Sequence, residues 1–121
     1  MEQFDLELYK TRTEVIRQTV AQVEKDFAMF GLEVEFTGST DLAYSELFAQ
    51  LSEHIGRLLQ TDYGKLSALL YQVDLSERNI LEAVAAHQEW SHEDIITELI
   101  IHRELKKVLL RNYFKNQKAK E

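Results

Sequence analysis

The chain contains no cysteine and no proline, and it has only four glycines and a single tryptophan. Without cysteine there are no disulfides, no thiolate metal sites and no cysteine nucleophile, and the composition fits a reducing compartment. Proline ends helices and punctuates loops, so its absence argues against an all-β or loop-rich domain and in favour of long helices. Also missing is any apolar stretch near the ~20 residues that span a bilayer. The opening MEQFDLELYK places acids where a secretory leader has positive charge followed by an apolar run. Cytoplasm is the expected location, with no membrane contact.

What is present is an ordinary globular composition. The 121 residues are 45% hydrophobic and 29% charged, enough for one core without staples, and a single domain over 1–121 is expected. The net charge of -7 is unevenly spread. Arg103, Lys106, Lys107, Arg111, Lys115, Lys118 and Lys120 oppose only Glu104 and Glu121, which makes +5 over residues 103–121 and leaves -12 on the first 102. The chain is a charge dipole along its length.

Ile16, Val20, Val23, Phe27 and Phe30 recur at steps of four and three, the spacing of one helical face, and predict a helix from about Thr11 to Phe30. Thr11 with Glu14 offers a capping box and Gly31 a C-terminal stop. On either side, Phe4, Leu6 and Leu8 alternate with acids, as do Leu32, Val34 and Phe36. This is the period-two pattern of short extended segments near 4–8 and 32–36. A two-stranded ribbon is the second reading of them, because nothing stops the first helix from starting near Phe4 and an isolated pair of strands is marginal.

A second helix follows the Thr37-Gly38-Ser39-Thr40-Asp41 turn and carries Tyr44, Leu47, Phe48, Leu51, Ile55, Leu58 and Leu59. That turn lacks the glycines and lysine of a phosphate loop and reads as capping chemistry. Thr61 or Asp62 can cap a third helix bearing Leu66, Leu69, Leu70 and Val73. Leu75-Ser76 with Ile80, and Trp90-Ser91 with Ile95, each pair a capping serine with a hydrophobic staple, and mark helices running to about His87 and from His92 to about Lys115. The apolar residues of the last helix fall in two arcs, Ile95, Ile96, Leu99, Leu110, Tyr113 and Phe114 in one and Ile101, Leu105, Val108 and Leu109 in the other. A helix apolar on two sides is central or at an interface. The expected fold is all-α, a compact bundle of four to five helices with a long C-terminal helix.

Chemistry-bearing patterns are few. Two Glu-x-x-His helices, His-Glu-x-x-His and Gly-x-Ser-x-Gly are all absent, so neither a metal, a cofactor nor an enzyme is expected. Glu98, His102 and Lys106 lie between the two arcs and form a candidate buried polar network joining helices. Arg103, Lys107, Arg111 and Lys118 form a candidate basic surface, although the acidity of the remaining chain repels phosphate and offers these cations nearer partners.

The stretch from Leu69 to Glu77, LLYQVDLSE, together with Glu98 to Arg111, ELIIHRELKKVLLR, resembles small uncharacterised bacterial helical proteins that end in a helix of this kind. The resemblance covers about the last half of the chain and implies no activity or partner. The leading functional expectation is a non-enzymatic module that binds itself, as a homo-oligomer, or another protein. Nucleic-acid binding through the basic helix and a small-molecule or catalytic site near His102 are the alternatives.

Overall fold

A computed structural model describes the backbone of residues 2–120 and the side chains of residues 11–117. Among the described residues five helices follow one another: α1 (Glu2–Ala28), α2 (Ala43–Thr61), α3 (Tyr63–Val73), α4 (Glu77–Ala86) and α5 (His92–Lys120). The fold is the expected all-α bundle, and among the described residues there is no strand. Among the described residues, no helix is long and apolar enough to cross a membrane.

The first helix begins nine residues before the expected cap, at Glu2 instead of Thr11. Residues 2–10 contain no breaker and several good helix formers, so alternation at Phe4, Leu6 and Leu8 does not make a strand. The side chains of those residues lie outside the described set. The stop after α1 matches expectation: Gly31 takes φ 73°, its amide donates to Ala28 O, and the Leu32 amide donates to Phe27 O at 3.1 Å. This is a Schellman ending, in which a left-handed residue lets two otherwise orphaned carbonyls find donors.

Residues 32–36 keep the alternation without being a strand. Leu32 and Val34 are buried while Glu33 and Glu35 are exposed. In place of a neighbouring strand, one stripe of α2 satisfies the backbone. The Glu35 amide donates to Gln50 Oε1 and Gln50 Nε2 donates to Glu35 O, both at 2.7 Å. His54 Nε2 contacts Glu33 O at 2.7 Å, and Glu46 accepts from the Thr37 amide and hydroxyl. Positions 46, 50 and 54 are successive steps of four on one helix face, so their side chains line up along the extended segment.

Side-chain caps start three helices as expected. Asp62 accepts from the Lys65 amide, Ser76 from the Asn79 amide and Ser91 from the Asp94 amide. The Thr37–Asp41 turn supplies no such cap: the residue before α2 is Leu42, held by backbone bonds to Ser39 O and across Ala43 to Thr40 O.

The core is built from Val20, Val23 and Phe27 of α1, Leu47, Leu51, Ile55 and Leu58 of α2, Leu66, Leu69 and Val73 of α3, and Ile96, Ile100 and Ile101 of α5. Helix α5 packs against all four others, most extensively against α2 and α1, and is the central element. Helix α4 buries no residue completely. The apolar residues of α5 separate by position along the helix more than by arc. Ile95, Ile96, Ile100, Ile101 and Val108 are buried, whereas Leu109, Leu110, Tyr113 and Phe114 are exposed. Beyond Val108 the side-chain partners of α5 come from α1, through Arg111 to Gln22 and Asn112 to Gln18.

Candidate functional site

Helix α5 has an inward polar cluster and an outward apolar arm. The inward cluster centres on Glu104, which occupies one step of the ladder Ile96, Ile100, Glu104, Val108 and is therefore carried into the core with its neighbours. It meets Asp26, three residues after Val23 and next to Phe27 on α1; the two acids are 0% and 1% exposed. Two carboxylates cannot both stay charged in such a place, and a proton resolves the conflict.

Burial pushes Glu104 up to about 8, and its hydrogen bond to Asp26 and that residue's charge push in the same direction. Burial also raises Asp26, but hydrogen bonds from Glu104, Gln22 and Gln72 and the charge of Lys107 outweigh it and hold Asp26 below its usual range. The proton of the pair thus belongs to Glu104, beside an ionised Asp26. Gln22 Nε2 reaches both Asp26 oxygens at 3.2 Å, and Gln72 Nε2 reaches Oδ1 at 3.4 Å. Lys107 Nζ lies 3.1 Å from Glu104 Oε1 and 3.7 Å from Asp26 Oδ2, and donates to Gln72 O at 3.3 Å. The cluster ties α1, α3 and α5 together at one height of the bundle. Its acids are sealed from solvent, so its chemistry is structural and offers no face to a substrate.

Of the expected basic surface, Arg103, Lys107 and Arg111 each make a contact within the chain. Arg103 donates to Asp74 O at 3.2 Å and to Asp74 Oδ2 at 2.5 Å. That guanidinium, through its hydrogen bond and charge, holds the Asp74 carboxyl below the usual carboxylate range. Asp74 is the left-handed residue ending α3, at φ 70°, so the pair fastens α5 to the α3–α4 corner. Lys107 belongs to the buried cluster, and Arg111 donates to Gln22 Oε1 at 3.2 Å. Lys118 stands on α5 with its side chain outside the described residues. Nucleic-acid binding would need these cations free to meet phosphates.

Of the expected network Glu98, His102 and Lys106, two members meet and the third does not join them. His102 Nε2 contacts Glu98 Oε1 at 3.0 Å, and the Tyr44 hydroxyl donates to Glu98 Oε2. Burial, with the hydrogen bond and charge of Glu98, pushes the Tyr44 hydroxyl up to about 12. His102 and Lys106 are exposed. Among the described residues, no three histidine or carboxylate side chains converge as a metal site would require.

No protein-family model matches this chain, and no curated protein or solved structure is significantly similar to it.

The outward arm is the feature with the plainest functional content. Leu109, Leu110, Tyr113 and Phe114 are 48%, 44%, 57% and 64% exposed. They lie past Val108: Tyr113 and Phe114 repeat the angular positions of Ile95 and Ile96, which are buried five turns earlier on the same helix. The rings of Tyr113 and Phe114 meet edge to face at 5.4 Å. Lys106, Arg111 and Lys115 flank them, so the arm is an apolar strip with a basic border.

Proposed function

We propose that this protein is a non-enzymatic helical interaction module that self-associates through the distal half of α5. The observation that carries this reading is the strip Leu109, Leu110, Tyr113 and Phe114, four large apolar side chains in contact with water on one helix face. An apolar face of that kind is covered in the working state of most proteins.

A second copy of the chain is the occupant favoured by charge. Residues 103–121 carry +5 and residues 1–102 carry -12, so an arm bordered by lysines meets complementary carboxylates on the body of another copy. The sealed cluster of Asp26 and Glu104 serves this role indirectly by fixing the register of α5 against α1, which sets where the arm emerges.

The reading is tested by the double variant Leu110→Asp/Phe114→Asp in sedimentation equilibrium. Both side chains face solvent within one copy, so the variant is expected to keep the helical content of the native chain and to sediment as a monomer. An assembly of unchanged mass would overturn the proposal.

A further inference from the structure

At the other end of α5, away from the arm, a hollow of about 390 Å³ opens between α2 and the α4–α5 connection. Three aromatic side chains line it: Tyr44 and Phe48, one turn apart on α2 with ring centroids 5.9 Å apart, and Trp90. Trp90 is held in place by stacking on His87 at 4.9 Å, and it remains 46% exposed, with Tyr44 at 52%. The same hollow is lined by Glu89, Asp94 and Glu98, and by no lysine or arginine. Asp94 stands in the first turn of α5 and offsets the positive end of that helix, so Glu89 and Glu98 give the hollow its net negative field.

The two kinds of lining select one kind of guest. A hard metal ion needs carboxylates that converge, and among the described residues none do so in threes. A neutral apolar guest gains nothing from the acids. An organic cation uses both, because aromatic faces are the negative part of a ring's quadrupole and its alkyl groups bury against them while the carboxylates hold the charge. Glu98 is already positioned by the Tyr44 hydroxyl and by His102 Nε2, which fixes one wall before any guest arrives.

The geometry points to a binding site for an alkylammonium group, formed by Tyr44, Phe48 and Trp90 with Glu89 and Glu98. The group is carried either by a small molecule or by an N-methylated lysine of another protein.

The single tryptophan of the chain lies in the site, so its emission reports occupancy directly. The intact protein is titrated at constant ionic strength with choline, with its neutral isostere 3,3-dimethylbutanol, and with a peptide containing trimethyllysine. A saturable change is expected with the cations, with the alcohol at least ~10-fold weaker. The variant Glu89→Gln/Glu98→Gln keeps the reporter and is expected to lose at least ~10-fold in choline affinity. Tighter binding of choline assigns a small molecule, and tighter binding of the peptide assigns a methylated protein. No saturable change with any cation, equal response to the alcohol, or unchanged affinity in the variant would overturn the site.

Discussion

Glu104 of α5 and Asp26 of α1 meet in one buried contact, where Lys107 Nζ lies 3.1 Å from the first carboxyl and 3.7 Å from the second. This contact makes stability depend on pH in a definite direction. The folded chain holds a proton on Glu104 up to about 8, whereas an unfolded chain releases it near 4.5. The stabilisation from that proton is complete below the unfolded value and is lost as pH rises through about 8. At ~1.4 kcal/mol per pKa unit the effect amounts to a few kcal/mol. The thermal midpoint is expected to fall between about pH 5 and about pH 9 in the native chain and to be nearly flat in Glu104→Gln. Equal slopes in the two proteins would contradict the protonated pair.

Removing the other acid is expected to be costly. Asp26→Ala leaves Lys107 without its buried counter-charge and Gln22 and Gln72 without their acceptor, at roughly 3 kcal/mol in chemical denaturation. Asp26→Asn keeps a carbonyl for Glu104 and for one glutamine and should lose less. Two variants both within ~0.5 kcal/mol of the parent would show that the cluster does not hold the helices together.

The extended segment offers a local test. Gln50→Ala removes both hydrogen bonds with the Glu35 backbone. Amide exchange at Glu35 is expected to rise sharply, with a stability loss of about 1 to 3 kcal/mol. Exchange at Glu35 no faster than in the native chain would mean that Gln50 does not hold this segment.

Why some of this was legible in the sequence, and some not, follows from the range of the interactions involved. Caps at Asp62, Ser76 and Ser91 and the stop at Gly31 are contacts within a few residues, and each stands where spacing placed it. For the start of α1 the sequence offers two readings: alternation at Phe4, Leu6 and Leu8 imitates a strand, while the absence of a breaker lets the helix begin near Phe4, and the helix is what forms. Alternation at 32–36 was a true signal of burial, but its backbone partners are side chains of α2 and not a strand. The buried cluster was missed although its mark is visible: Glu104 interrupts the ladder Ile96, Ile100, Val108, and Asp26 sits beside Phe27. An acid on an apolar ladder needs a distant partner, and 78 residues of chain separate this one from Asp26. Helical projection places Glu98, His102 and Lys106 between two arcs, but both arcs are exposed past Val108, where α5 leaves the core.

The self-association of α5 is tested most directly by the solution mass of the intact chain, from light scattering on a sizing column at low and at high salt. A multiple of 14.2 kDa that persists in high salt is expected, because the strip at Leu109, Leu110, Tyr113 and Phe114 is apolar and salt screens only its lysine border. A single mass of 14.2 kDa in both buffers, unchanged at high protein concentration, would contradict it.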